Sequence, residues 1–282
     1  MKLSIVIPTY NRSDLLRHTL ESLSNQKLVL SGEVEVVVVD DGSSDDTRSV
    51  CKSYNFVRYF FQDDFGFRAA KARNIGAVIS RGEYIAFIDS GLVCHISFVD
   101  RMISYINKNA DVFIGSIYAF NKEDLILEIL ESSSFQLDDN VVGLFSEQGI
   151  IDMRTSRFNL LGEDFANKKN WPVLGDISWS GNICISRRAF YEVGMFDEKF
   201  NSWGGEDIDL GIRLQEQGFE FFFAKSCYTV HIPHESQYSE EACLIKENEL
   251  VKKHKDVYYM KYFKLARNAN LDINTFINLH GF

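Results

Sequence analysis

Several absences narrow the reading of this 282-residue chain before any motif is considered. It has five cysteines, at 51, 94, 184, 227 and 243, an odd number, widely spaced and without a Cys-x-x-Cys pair. That pattern argues against a disulfide framework or a structural zinc site and favours a reducing compartment. No apolar run approaches the ~18 residues of a membrane-crossing helix. The stretch after Met1-Lys2 is too short for a secretory signal core, so a cytoplasmic setting is expected. Positive charge is also scarce: 30 Lys and Arg stand against 40 Asp and Glu, a net charge of −10. A nucleic acid or an anionic membrane is therefore not an expected partner. There is no internal repeat, and no Gly-rich basic phosphate loop follows the first strand-like run, which argues against a nucleotidyltransferase. What remains is an ordinary globular composition, 45% hydrophobic and 25% charged, with ample material for a core.

The first half alternates strand-like and helical patterns. Leu3 to Pro8, Val34 to Val39, Val57 to Phe61, Tyr84 to Ile88 and Asp111 to Tyr118 read as strands. Between them lie helices starting at Ser13, after Asp40-Asp41-Gly42-Ser43-Ser44, over Phe67 to Ile79 and over Ser97 to Asn107. This alternation predicts an α/β fold with a mostly parallel central sheet flanked by helices. Ligands of such sheets sit beyond the carboxyl ends of the strands. Three strands here end in polar signatures: Pro8-Thr9-Tyr10-Asn11-Arg12, Asp40-Asp41-Gly42-Ser43 and Asp89-Ser90-Gly91. Residues 119 to 175 are less periodic and read as an irregular excursion or lid. A strand through Ile185, a helix from Arg187 and strand-like runs at Phe221 to Phe223 and Cys227 to Val230 follow. From Glu240 onward the pattern is helical and amphipathic. The expected organisation is a nucleotide-sugar-binding half over 1–118, an acceptor and catalytic half over 119–239 of the same domain, and a helical tail over 240–282.

The densest signal is Asn201-Ser202-Trp203-Gly204-Gly205-Glu206-Asp207-Ile208-Asp209. Acidic residues suit a helix N-terminus, whose unpaired N–H groups favour negative charge. Capping alone does not account for a tryptophan followed by two glycines, which expose an aromatic face and let a ligand approach the backbone. A carboxylate beside a flat apolar ring suits binding a sugar and deprotonating its hydroxyl. Asp209 lies about 200° round the helix from Asp207, at ~3.6 residues per turn, and is expected to face away in a structural role.

The segments Ser4 to Arg12, Val38 to Ser43, Gly82 to Asp89, Phe65 to Gly76 and Trp203 to Asp207 together resemble family 2 glycosyltransferases of the GT-A fold. They are similar to the branch of bacterial chondroitin-type polymerases, with a C-terminal motif like that of β-1,4-galactosyltransferases. The resemblance implies inverting transfer from a UDP-sugar donor to a hydroxyl of a saccharide or glycosylated acceptor. It places Pro8, Thr9, Tyr10, Arg12 and Asp41 at the nucleoside, although Asp41 also reads as a turn residue capping the next helix. Arg68 and Lys71, spaced i and i+3, are expected to face a diphosphate together, with Asn74 a lesser donor candidate and Arg73 pointing elsewhere. Asp89 and Ser90 complete the donor set. Asp207 is the expected general base. Glu206, Trp203, Gly204, Gly205 and Trp179 form the expected acceptor side.

One departure from the family pattern stands out. The usual Asp-x-Asp is Asp89-Ser90-Gly91 here, so the last carboxylate, normally a ligand of Mn²⁺ or Mg²⁺, is missing. The resemblance implies a divalent cation held weakly by Asp89 and His231, or dispensed with in favour of Arg68 and Lys71. His234, three residues on in an extended chain, is expected to face away from His231. The sequence also admits a degenerate chain that binds a nucleotide or glycan without catalysis. The intact Glu206-Asp207 pair opposes that.

Overall fold

The computed structural model describes residues 1–118, 136–150, 152, 171–202, 204–234, 240–269 and 271–281. Eight strands form one sheet in the order β3-β2-β1-β4-β7-β6-β8-β5. They are β1 (Leu3–Thr9), β2 (Glu35–Asp40), β3 (Val57–Phe61), β4 (Tyr84–Ile88), β5 (Leu92–Cys94), β6 (Val112–Tyr118), β7 (Asn182–Ser186) and β8 (Phe221–His231). Four pairings are parallel (β1 with β2 and β4, β2 with β3, β6 with β8), and β7 and β5 enter antiparallel. The sheet is thus mixed, with its parallel part where the β-α alternation predicted it. The runs at Phe221 to Phe223 and Cys227 to Val230 are one strand, paired to β6 across a register shift between Gly115 and Ser116.

Strands β1 and β2 are buried on both faces, as continuous apolar runs require. Side chains alternate along β1 and β2, so Ile5, Ile7, Val36 and Val38 enter one apolar layer while Val6, Val37 and Val39 enter the other. The first layer is closed by α1 (Ser13–Ser24) and α5 (Phe98–Ile106), through Leu16, Leu20, Phe98 and Met102. The second is closed by α4 (Ala69–Ile79), α7 (Arg187–Glu192) and α8 (Glu206–Glu216), the labels α2 (Lys27–Leu30), α3 (Thr47–Lys52) and α6 (Asp139–Glu147) covering the remaining helices up to α8. Helix α4 lies close on β1 because its inward residues are small: Ala70, Ala72, Gly76 and Ala77 are buried. A Cβ on Gly76 would stand 2.3 Å from Val6 Cγ1.

Most of the stretch read as an irregular excursion lies outside the described residues, which include only 136–150, 152 and 171–175 of it. Within it, residues 139–147 form helix α6, where the reading expected none. The cause is local: Asp138 accepts the Val141 N–H at 2.9 Å, capping a helix whose Val142 and Phe145 are buried. The tail is helical, as expected, with α9 (Glu240–Lys253), α10 (Phe263–Asn268) and α11 (Ile273–His280). Leu250, Met260, Phe263 and Ile277 pack with Phe200 and Ile212 of the preceding fold. No helix among the described residues is long and apolar enough to cross a membrane.

Asp209 fastens this tail to α8. Its fully buried carboxylate takes Arg213 Nη2 at 2.6 Å, His254 Nε2 at 2.8 Å and Lys253 Nζ at 2.7 Å. Burial alone would raise its pKa, but His254, Arg213 and Lys253 bring it down to about 2. A depressed carboxylate contributes stability above its unfolded pKa of about 3.9 and loses it as pH falls toward the folded value. Asp209→Asn should therefore cost about 3–5 kcal/mol at pH 7 in denaturant unfolding, because it removes the charge of the buried carboxylate that Arg213, His254 and Lys253 share. The deficit relative to the unaltered protein should shrink between about pH 4 and 2.

Candidate functional site

The polar ends of β1, β2 and β4 and the N-terminus of α8 face one rim. At the β2 end Asp41, 5% exposed, is enclosed by the donor-side residues that the sequence singled out. Its Oδ1 accepts Arg68 Nη2 at 2.7 Å and Gln62 Nε2 at 2.5 Å, and its Oδ2 accepts the Arg68 N–H at 2.9 Å. Burial raises the Asp41 pKa, opposed by Arg68 and Gln62. Pro8 and Thr9 are buried beside it on β1, and Thr9 Oγ1 and Gln62 Oε1 are buried without a hydrogen-bond partner. Tyr10 is 42% exposed and donates to Asp64 at 2.9 Å. Arg12 takes the N-cap position of α1.

Arg68 is engaged by Asp41 at the rim rather than left to face a diphosphate with Lys71. It precedes α4 as its N-cap, so helical i,i+3 spacing does not govern it. Its guanidinium is held by Asp41 and the Asp63 carbonyl and lies 5.3 Å from the centre of the exposed Phe65 ring. Lys71, on α4, is half-buried. Asn74 does not face a donor. Its amide both donates to the Phe196 carbonyl and accepts the Phe196 N–H, each at 3.0 Å, and it donates to Glu198. With both amide atoms satisfied and 4% exposure, it clasps α4 to the segment after α7.

Arg73 is the group that sequence reasoning left without a role. It is 5% exposed on α4 and reaches two carboxylates with different nitrogens. Nη2 lies 2.8 Å from Asp89 Oδ1, beyond β4, and Nη1 lies 2.8 Å from Glu206 Oε1, at the start of α8. Burial opposes its charge, but Asp89 and Glu206 hold its pKa above the ordinary arginine value. A signal was present: an arginine among Ala70, Ala72, Gly76 and Ala77, on a face built of small buried residues, needs carboxylates to meet it. Glu206 is 5% exposed, and burial with the neighbouring Asp207 charge pushes its pKa up to about 7 despite Arg73. Its Oε2 is buried without a hydrogen-bond partner, as is Arg73 Nε. Asp207 is half-exposed, its Oδ1 accepting the Ile208 N–H at 2.8 Å.

The turn before α8 has Gly204 at φ 77° and Gly205 at φ 99°, both in the left-handed region. Lys246 of α9 lies across it, a second residue that sequence reasoning missed. A Cβ on Gly205 would stand 2.6 Å from Lys246 Cγ, and one on Gly204 would stand 3.1 Å from Lys246 Nζ. Trp203 lies outside the described residues. Trp179 is half-buried and donates its indole N–H to the Asp176 carbonyl at 3.0 Å.

At the candidate cation site, Ser90 is buried and Asp89 keeps Oδ2 away from Arg73. His231 ends β8, and burial, reinforced by His234 and Arg12, lowers its pKa to about 4, although the Asp89 charge opposes this. The imidazole is thus neutral near pH 7, as a metal ligand must be. His234 does not point away from His231: the ring centres are 4.8 Å apart. The strand ends at His231 and Pro233 intervenes, so the alternation of an extended chain no longer applies. Among the described residues no three His, Cys, Asp or Glu side chains form a cluster able to hold a metal ion. Asp89 lies near enough to His231 for its charge to act on the imidazole, so the two supply a carboxylate and a neutral nitrogen in one place.

Gly91 accounts for the departure from Asp-x-Asp. Its φ is 97°, its N–H bonds Thr19 Oγ1 at 2.9 Å and its carbonyl accepts the Ile232 N–H at 2.9 Å. A Cβ here would meet the Leu15 side chain of α1 at 3.5 Å. A side chain at 91 would therefore start toward α1, on a backbone that disfavours any residue but glycine.

The site's geometry stands beside clear similarities to known proteins. Residues 4–193 match the family model described as glycosyl transferase family 2, and residues 164–235 match one described as the N-terminal domain of galactosyltransferase. The validoxylamine A glucosyltransferase of Streptomyces hygroscopicus subsp. jinggangensis is 34% identical over 89% of this chain and 61% of its own length. The chondroitin synthase of Escherichia coli is 27% identical over 81% of this chain and 34% of its own. This chain thus spans less than two thirds of either relative. Among solved structures, S. aureus TarS 1–349 in complex with UDP-GlcNAc superposes with a TM-score of 0.63, at 18% identity over 94% of this chain and 76% of that one. A mannosyltransferase from Pyrobaculum calidifontis in complex with GDP-Man and Mn²⁺ does so with a TM-score of 0.54, at 15% identity over 90% and 62%. These two establish the shared GT-A fold.

The Gly91 geometry is open to test. Gly91→Asp should lower stability by about 1–3 kcal/mol in thermal or denaturant unfolding, the cost of a non-glycine residue in this conformation. It should not tighten Mn²⁺ binding in calorimetry, and a gain in affinity would contradict the direction assigned to position 91.

Proposed function

Because this chain belongs to glycosyltransferase family 2, we propose that it moves a sugar from a UDP-sugar to a hydroxyl of a saccharide or glycosylated acceptor, with inversion at the anomeric carbon. The observation that carries this reading is the Asp89–Arg73–Glu206 bridge, which brings the β4 end against the N-terminus of α8. Asp207 thereby stands beside the donor rim. UDP-GlcNAc in the TarS complex and the names of the relatives support the donor class and the reaction type.

The mechanism follows from the residues at the rim. Asp41 accepts an N–H of the nucleobase, and Thr9 Oγ1, buried without a partner, hydrogen-bonds the nucleoside. Asp207 takes the proton of the acceptor hydroxyl as its oxygen attacks the anomeric carbon in line and the nucleoside diphosphate departs. Glu206, next to Asp207 on α8, hydrogen-bonds the acceptor and helps place that hydroxyl. Trp203 and Trp179 supply apolar faces for the sugars, and Gly204 and Gly205 allow close approach. Asp89 and His231 would hold Mn²⁺ or Mg²⁺ at this rim, and the cation would neutralise charge on the leaving group. Lys71 remains available for the same purpose, whereas Arg68 is engaged by Asp41.

Asp207→Asn should bind UDP with unchanged affinity in calorimetry and lose about 10²–10⁴-fold in turnover, the usual contribution of a general base. Turnover comparable to that of the unaltered protein would remove Asp207 from that role. His231→Ala should weaken UDP binding in the presence of Mn²⁺ and leave metal-free binding unchanged. If both drop equally, His231 acts on the pocket and not on a cation.

A further inference from the structure

The geometry points to Arg73 as the positioning residue that sets the acceptor carboxylate against the donor carboxylate; this rests on the transfer reading above. Arg73 comes from α4, whereas its two partners come from separate elements, Asp89 following β4 and Glu206 opening α8. One planar guanidinium thus fixes the separation of two groups that no strand pairing or helix turn relates. Both contacts are 2.8 Å, the length of a charge-assisted hydrogen bond, and each uses a different terminal nitrogen.

The plane of that fork is fixed as well. The Phe196 ring lies 5.5 Å from the guanidinium carbon, and the adjacent Asn74 clasps the Phe196 backbone. Lysine has no equivalent fork: an ammonium is a compact charge on a flexible stem, and it cannot hold two carboxylates in one plane at set positions.

The pattern of bonding distinguishes this from an ion pair that serves stability alone. Arg73 takes one oxygen from each carboxylate. Asp89 is left with Oδ2, on a side chain 42% exposed, and Glu206 with Oε2, which is buried without a hydrogen-bond partner. Each carboxylate is thus held by Arg73 through one oxygen and keeps the other out of that ion pair. Asp207 adjoins Glu206 on α8, and the Lys246 stem covers the Gly205 turn just before it, so any displacement of Glu206 is passed to the general base.

The test uses Arg73→Lys, Arg73→Gln, Glu206→Gln and the double variant Arg73→Gln/Glu206→Gln in the full chain. UDP release is measured from UDP-glucose and UDP-N-acetylglucosamine with a panel of methyl glycosides, alongside UDP calorimetry and thermal unfolding. Arg73→Lys should keep a cooperative transition and bind UDP without metal within about threefold of the original, because the Asp41 pocket does not involve Arg73, whereas the metal-dependent part of UDP binding, which passes through Asp89, should weaken. Its kcat should fall by about 10²-fold, the loss expected for an ångström-scale misplacement, and its acceptor KM should rise. The double variant should lose no more activity than the worse of its two single variants, since the residues act as one unit. Arg73→Lys with lowered stability but unchanged kcat and acceptor KM would overturn the positioning role, as would additive losses in the double variant. Absence of transfer by the unaltered protein, with either donor and every acceptor, would overturn the transfer reading and this role with it. That result is plainly distinct from an active enzyme indifferent to Arg73.

Discussion

A positive charge buried between two carboxylates is the constraint on which the rest of this structure depends. Arg73 is 5% exposed, and an arginine in that position is tolerated only if both its partners are where they are. The β4 end, the N-terminus of α8 and the seating of α4 must therefore agree to within a hydrogen-bond length. The small residues of α4 serve this requirement. Gly76 brings the helix against Val6, and Ala70, Ala72 and Ala77 keep it there, so that the long side chain at 73 reaches across the gap. Asn74 and Phe196 then fasten the far side.

Around this centre the rim separates by chemistry. Near β2 the groups are a buried carboxylate, an arginine already neutralising it, and two unsatisfied oxygens. Near α8 they are carboxylates, one partly exposed and one held by Arg73, beneath a turn of two left-handed glycines. Between them sit Asp89 and a neutral His231. The absent third carboxylate fits this arrangement and is not a defect in it. The chain turns at Gly91 so that its N–H meets Thr19 on α1 and its carbonyl meets Ile232 just past β8, tying both to the β4 end.

Much of this was legible in the residues. The apolar runs and polar strand ends located the parallel strands and the rim, because burial on two faces and turn chemistry leave strong local patterns. Asp209 was read as turned away from Asp207, and it is indeed enclosed by Arg213, Lys253 and His254. What escaped depends on contacts distant in sequence. Arg73 meets residues 16 and 133 positions away, and no spacing rule links them. Arg68 and Asn74 carried donor-like chemistry but are held in protein contacts that only the fold creates. His234 defeated the alternation rule because the strand stops one residue before the rule would have been needed. The helix at residues 139–147 lay within a stretch whose weak periodicity hid a well-capped segment.

Lys246 gives the tail a significance that its place near the end of the chain does not suggest. It lies beyond residue 235, outside the segments that mark this chain as a family member, yet its stem fills the space over Gly205 and its ammonium stands over Gly204. The unit that folds as one piece is therefore larger than the unit by which the family is recognised. Substitutions along α9 can reshape the turn at Gly204 and Gly205 while every hallmark residue stays as it is. Two chains with the same hallmarks and different tails would look alike in their motifs and still differ in the shape of this turn.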